Sequence, residues 1–325
     1  MLAGLQNVLD GELAQWLANV DPARSNELDA EAVAGFAVPV GGCKAIIAPH
    51  AGYSYSGPTA AWAYRCIDTT GIKRVFILGP SHHVYLDGCA LSRFRAYDTP
   101  VGSLPLDLET IEELRKTGEF EDMSGQTDED EHSIEMHLPY VRKVFEGKDI
   151  TIVPVLVGSI RKDKEERFGA ILAPYLARED TICVVSTDFC HWGTRFDYTF
   201  YYPSPPPCTP LHLTRSGAQP ASLQMHTICQ SIIALDHEGM AALAHPSDSS
   251  ASASAAGDNF AQYLRRTRNT VCGRHPIGVL MGALKYLEES QGVTSALKWV
   301  RYDQSSECRR IQDSSVSYAS AYVVF

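Results

Sequence analysis

Arg74–His83, RVFILGPSHH, is the stretch on which the reading of this chain turns. Val75–Leu78 is a short apolar run of β-formers, Gly79-Pro80 closes it, and His82 and His83 follow at once. A buried strand that stops there delivers imidazoles to the sheet edge where open α/β folds keep their chemistry. Two more apolar runs end in the same way. Lys44–Ala48 (KAIIA) stops at Pro49 ahead of His50, and Thr181–Ser186 (TICVVS) leads through Thr187-Asp188-Phe189-Cys190 to His191. Helical periodicity separates the runs, over Gly57–Ile67 and Glu165–Tyr175. Strands alternating with helices predict an α/β fold with parallel strands. His50, His82 and His191 are then expected side by side.

The remainder of the chain fits that frame. Leu2, Leu5, Leu9, Leu13, Trp16, Leu17 and Val20 recur at helical spacing, so the chain opens with an amphipathic helix. Helices are also expected over Asp107–Thr117, His132–Phe145 (kinked or restarted at Pro139), Ile228–Leu243, Phe260–Thr267 and Pro276–Glu288. Cys89–Leu91, Ala96–Tyr97, Thr151–Val157, Lys298–Tyr302 and Ser315–Phe325 read as strands, with Pro154 hinting at an edge or a bulge. Asp21–Gly42 reads as a surface connection, Tyr202–Gln219 as a Pro/Ser-rich loop without packed structure, and Ala244–Asp258 as a low-complexity linker. The expectation is one domain over residues 1–325, a central buried sheet flanked by helices.

Composition narrows the function. Of 325 residues, 45% are apolar, enough for a sizeable core, and the formal net charge is −11. With no basic run longer than two residues, nucleic-acid binding through a cationic footprint is not expected. No apolar stretch nears the roughly 20 residues of a membrane span. The start carries Asp10 and Glu12 and has no signal-peptide pattern. Nine cysteines are scattered singly, an odd count that suits reduced thiols in the cytosol.

Three histidines at equivalent strand ends suggest a shared site, and Cys272 is its fourth candidate. It precedes the apolar helix at Pro276, where the helix dipole and a cation would lower its pKa below the roughly 8.5 of a free thiol. Arg274 and His275 beside it add to that reading. Two imidazoles and a thiolate suit zinc, iron or copper. The same set can instead serve as a Cys–His nucleophile and base. Asp188 and His191 offer an orienting carboxylate and an acid–base group three residues apart. In Asp130–Tyr140 (DEHSIEMHLPY), His132 and His137 are five apart and do not share a helix face, so no His-Glu-x-x-His zinc helix is present. His132 is left as a rim residue, while Glu131 and His137 read as capping and packing. His212, His226, His237 and His245 read as solvated.

APHAGY (Ala48–Tyr53), ILGPSHH (Ile77–His83), QTDEDEHSIEMHLPY (Gln126–Tyr140), STDFCHWG (Ser186–Gly193), CGRHPIGVL (Cys272–Leu280) and QDSSVSYA (Gln312–Ala319) together resemble the Memo family, the mediators of ErbB-driven cell motility. The resemblance implies a fold like that of class III extradiol non-haem iron dioxygenases. It implies metal ligands at His50, His82 and Cys272, with His191 near the dioxygenases' acid–base position. It further implies binding of copper or iron, redox control, and a cytoplasmic (also nuclear) role in motility and cytoskeletal signalling; the alternatives are a dioxygenase-type oxidoreductase using Fe(II) and O2, and an interaction module that takes a protein or phosphopeptide partner in the same pocket. Tyr53, Tyr55, His83, His132, Arg274 and His275 are then expected around the pocket. Cys272 where the dioxygenases hold a carboxylate weighs against dioxygenase activity, because ligand charge, softness and oxidisability all change. Pro203–Leu223 and Ser247–Gly257 read as insertions. The family's opening His-Ala-Gly-Ser-Trp-Tyr segment, an aromatic wall of its pocket, has no counterpart before Leu2, which suggests a truncated start.

Overall fold

The computed structural model describes residues 2–24, 36–217, 219–246 and 252–325. In chain order its elements are α1 (Leu2–Ala18), β1 (Cys43–Ala48), α2 (Tyr53–Arg65), β2 (Arg74–Pro80), β3 (Cys89–Leu91), β4 (Ala96–Thr99), β5 (Gly102–Pro105), α3 (Leu108–Lys116), β6 (Phe120–Asp122), α4 (Gly125–Asp130), α5 (His132–Glu135), α6 (Leu138–Val144) and β7 (Thr151–Val157). Then follow α7 (Lys162–Leu176), β8 (Thr181–Ser186), β9 (His191–Trp192), β10 (Phe200–Tyr201), β11 (Leu211–His212), α8 (Ile228–Leu243), α9 (Ala253–Thr267), α10 (Arg274–Gln291), β12 (Ala296–Gln304) and β13 (Ser315–Val324).

The main sheet runs β12-β13-β1-β8-β2-β7-β3-β6. Its middle four strands, β1, β8, β2 and β7, are parallel. Strands buried on both faces need apolar side chains on both, which is why Val75–Leu78 and Ile182–Val185 are continuous apolar runs without alternation. β13 lies antiparallel to β1 and to β12, and β3 antiparallel to β7. The sheet is therefore mixed at its flanks and parallel at its centre. Helices α7 and α10 cover one part of it against β2 and β8, while α2 packs on β1, β12 and β13 with α1 behind it.

Several local expectations shift. β2 does not stop at Gly79 but continues through Pro80, which pairs with Val157. Proline is tolerated there because it ends the strand. Pro154 lies next to the three β7 residues that β3 pairs, inside the sheet and not at its outer edge. Pro139 does restart a helix: α5 ends at Glu135 and α6 begins at Leu138. The acidic run before it forms its own turn, α4, capped by Ser124. The loop after Tyr202 holds one short exposed strand, β11, paired with β10. α9 starts seven residues earlier than Phe260, capped by Ser252, so the linker is shorter than its composition implies. Parts of the expected connection and linker, residues 25–35 and 247–251, lie outside the described residues.

Candidate metal centre

The parallel strands do bring the three histidines to one edge. His50 follows β1, and its backbone N–H donates to Asp188 Oδ1 at 2.9 Å. Its ring is buried, with Nδ1 2.6 Å from Ser186 Oγ, the last residue of β8. Ser186 gives its own proton to the Ser133 carbonyl at 2.6 Å. A hydroxyl whose proton is committed can only accept, so His50 carries its hydrogen on Nδ1 and its Nε2 is bare. That Nε2 lies 3.3 Å from Cys272 Sγ and 3.9 Å from Asp188 Oδ2. Burial, reinforced by the neighbouring His82, His132 and His191, holds the ring well below its ordinary pKa.

His82 repeats the pattern. Glu131 accepts from the His82 backbone N–H at 2.8 Å and from Nδ1 at 2.9 Å. Burial would raise the Glu131 carboxyl, but these bonds, with another from the Ser133 N–H, outweigh it and hold it at about 2. A carboxylate only accepts, so His82 also carries hydrogen on Nδ1. His191 does so a third time, with Nδ1 facing the carbonyls of Phe189 (2.9 Å) and Thr270 (3.1 Å). Three imidazoles thus have Nδ1 fixed by an acceptor and Nε2 left without one, the arrangement that prepares histidine to ligate a metal or take up a proton.

Two glycines make the approach of the remaining groups feasible. A Cβ on Gly79 would meet Ile134 Cγ1 and Ser133 Oγ at 2.6 Å, so glycine lets α5 press against β2. That brings the His132 ring onto His82, centroids 4.4 Å apart, and edge-on to His50 at 5.6 Å. A Cβ on Gly273 would meet the Ser186 carbonyl oxygen at 2.2 Å. The start of α10 therefore sits on the end of β8, and Cys272 Sγ accepts the Asp188 backbone N–H at 3.1 Å. The expected lowering of the Cys272 pKa is not what this position gives. Burial pushes the thiol up and the Asp188 carboxylate adds to the rise, outweighing the hydrogen bonds from the Asp188 N–H, Thr187 and the Gly273 N–H.

Among the described residues, ligand atoms gather within 4.8 Å of one another in three groups: His50–His82–His132, His50–Asp188–Cys272 and His83–Glu131–His132. His50 belongs to two of them and stands between His82 and Cys272. The donor set, bare imidazole nitrogens beside a thiol, fits a copper, iron or zinc ion.

The other expected site residues surround this cluster or lie apart from it. Asp188 stands in it beside His50: its Oδ1 accepts from the backbone N–H groups of His50 and Ala51, and its Oδ2 lies 3.9 Å from His50 Nε2. Tyr53 donates to the Met136 carbonyl and packs on Trp16 and Tyr140, which makes it part of the wall's interior. Tyr55 is exposed and lines a cavity of about 390 Å³ with Arg195 and Phe196, whose ring stands edge-on to His191 at 5.3 Å. His83 is exposed at the rim, edge-on to His132. Arg274 and His275 line a different cleft, because α10 turns them away from Cys272 toward α7 and α9. Of the histidines expected in solvent only His212 is exposed; His226 and His245 are buried, and His245 bonds the Leu243 carbonyl and Ser295. Glu131 both caps α5 and anchors His82, a second role its neighbourhood in DEHS did not disclose. Ser186 went unnoticed as well, though its place at the end of a strand leading to Asp188 and His191 marked it.

A mixed α/β sheet with a histidine-rich cluster at the C-terminal edge of its parallel strands defines the class: an α/β protein with a candidate metal centre. The Memo-like protein family model matches residues 8–322, and the chain belongs to that family. Protein MEMO1 of Xenopus laevis is 47% identical over 283 residues, covering 86% of this chain and 85% of its own. Protein MEMO1 of Homo sapiens is 46% identical over 279 residues, 85% of this chain and 84% of its own. The protein memo-1 homolog of Caenorhabditis elegans is 38% identical over 315 residues, 97% and 77%. No helix among the described residues is long and apolar enough to cross a membrane.

Proposed function

We propose that this chain is a metal-binding protein that holds copper or iron through His50, His82 and Cys272, and that it works in the cytoplasm in redox control and signalling linked to cell motility and the cytoskeleton. Membership of the Memo-like family supports the setting. The observation that carries the site is the threefold tautomer lock, which turns Nε2 of His50 to the Cys272 thiol and leaves Nε2 of His82 and His191 without an acceptor. His50 Nε2 and Cys272 Sγ already face each other, and Glu131 and Ser186 keep the two ligating rings from turning. A bound iron or copper ion would bring redox capacity and Lewis acidity to this edge.

A second reading is a metal-dependent oxidoreductase of dioxygenase type using Fe(II) and O2. It is favoured by His191, which has a bare Nε2 but belongs to none of the three ligand groups and is flanked by the Tyr55–Phe196 cavity. In that reading His191 exchanges a proton with a substrate in the cavity while its Nδ1–H stays on the Phe189 and Thr270 carbonyls.

Metal analysis after anaerobic purification tests both. Stoichiometric metal that is lost in Cys272→Ser supports the site; affinity unaltered by that change removes Cys272 from it. Oxygen uptake with a catechol, abolished by His191→Ala with metal retained, supports the oxidoreductase. A chain that takes no metal even when supplied sinks both and leaves an interaction module for a protein or phosphopeptide.

A further inference from the structure

A cleft of about 470 Å³ opens between α7, α9 and α10, lined by none of the residues of the metal groups. Three arginines line it, Arg265, Arg268 and Arg274. The chain has a net charge of −11, with 39 acidic residues against 28 Lys and Arg. Lys162 at the same cleft is paired to Asp258 and Glu166. Among the described residues the three arginines are in no close ion pair: the Arg274 guanidinium donates only to the Val271 carbonyl, and the side chains of Arg265 and Arg268 make no hydrogen bond, though Arg265 lies near enough to Asp258 to lower the pKa of its carboxyl. The one carboxylate in the lining, Glu165, is held by His275 Nδ1 at 2.6 Å, and His275 Nε2 is left buried without a partner. Arg268 moreover sits at φ 55° at the end of α9, a left-handed position that glycine or asparagine fills at lower cost. Beside this charge the lining includes Phe260, Leu264 and Met281.

We propose that the cleft binds an organic phosphate monoester, with Arg265, Arg268 and Arg274 on the phosphate and the Phe260–Leu264–Met281 surface on its apolar body. Guanidinium forks match phosphate oxygens two at a time, and an anion is what uncommitted arginines in an acidic protein attract. The volume lies within the range of small-molecule sites.

The test is calorimetric titration of the full chain with 1-naphthyl phosphate, with 1-naphthol and inorganic phosphate as separate arms. Binding of 1-naphthyl phosphate is expected to exceed that of either fragment. Arg265→Ala with Arg268→Gly, the second chosen because glycine suits that φ, should weaken it about tenfold or more. Arg309→Ala with Arg310→Ala, at exposed ion-paired arginines, should leave it unchanged. If the double variant unfolds, Arg265→Gln at its exposed position is read instead and should weaken binding severalfold. No binding of 1-naphthyl phosphate, equal binding of 1-naphthol, or affinity unmoved by the arginine changes would each overturn the proposal. Iron affinity measured on the same variants should not change, so this site and the metal centre stand or fall separately.

Discussion

Two buried polar centres in this molecule are built on opposite plans. Around Asp236 on α8, every neighbour is a donor: the Cys190 N–H, Asn269 Nδ2 at 2.9 Å and the Tyr302 hydroxyl at 2.8 Å all give hydrogens to one fully buried carboxyl. The network closes on itself and leaves no function for a visitor. At the strand edge, the bonds stop one atom short. Ser186, Glu131 and the Phe189 and Thr270 carbonyls satisfy Nδ1 of three histidines, while Nε2 of His50 meets only the Cys272 thiol and Nε2 of His82 and His191 has no hydrogen-bond partner among the described residues. A closed network stabilises and fixes packing; one whose lone pairs converge without donors is prepared for a ligand. His137 shows that burial alone does not make a site. It is buried too, and burial takes its pKa to about 3, but it faces Tyr64 and packs among aromatics.

The comparison breaks most directly at Asp236. Asp236→Ala strands three buried donors and should lower stability by about 3–5 kcal/mol, read as a shifted urea midpoint at unchanged slope. Iron affinity of the folded fraction should not move. A fall in both would mean that the two centres are one. pH gives the next largest effect. Burial raises the Asp236 carboxyl to about 6, above the unfolded value, despite bonds from Ser317, Asn269 and Tyr302 that pull it down. The folded state therefore holds that proton more tightly. The corresponding stability is full below about pH 4 and is lost as pH rises through 6. At 1.36 kcal/mol per pKa unit the loss is about 3 kcal/mol. Stability of the native chain relative to Asp236→Asn should fall by about that amount between pH 4 and pH 8. A flat difference would show that the carboxyl titrates normally.

The edge was more legible in the sequence than the hub. KAIIAPH, RVFILGPSHH and TICVVSTDFCH each carry their histidine within five residues of the end of an apolar run, so strand direction alone collects them. α8 keeps the bounds its helical periodicity predicts, and in the structure Thr227 and Gln230 close its start with a capping box. What the pattern could not convey is where helices cross. Gly79 and Gly273 have no local signature that says a helix will lie on them, yet they decide that His132 and Cys272 arrive and that Arg274 turns away. The Cys272 pKa was misjudged for a related reason, since a helix terminus is visible in sequence and the burial that overrides it is not. Asp236, Asn269 and Tyr302 come from three distant segments with ordinary neighbours, and no spacing connects them.

On the edge itself, Glu131→Gln tests whether the acceptor of Nδ1–H matters beyond capping. The amide keeps the shape and offers one acceptor where the carboxylate offered two, so His82 should be held less firmly. Loss of such an outer partner typically costs 10–100-fold in metal affinity. Iron titration under anaerobic conditions reads it, and an unchanged affinity would return Glu131 to the role of a cap.

The smallest expected effect is also the most discriminating, because it removes the same chemical group from both centres. Tyr302→Phe takes one hydroxyl donor from Asp236, and Ser186→Ala takes one hydroxyl acceptor from His50. Ser186→Ala also frees the Ser133 carbonyl, and Tyr302→Phe also drops the bonds to Ser317 and Gln304, so each should cost about 2 kcal/mol of stability. If the plans differ as argued, the two variants part company at the metal. In Ser186→Ala the His50 hydrogen is free to move to Nε2 and occupy the lone pair that faces Cys272, so iron affinity should drop severalfold. In Tyr302→Phe the carboxyl keeps its other donors and no ligand atom is disturbed, so affinity should stay put. Equal stability losses with equal metal affinities would mean that the tautomer of His50 is set by something other than Ser186, and the lock at this edge would have to be sought in Cys272 and Asp188.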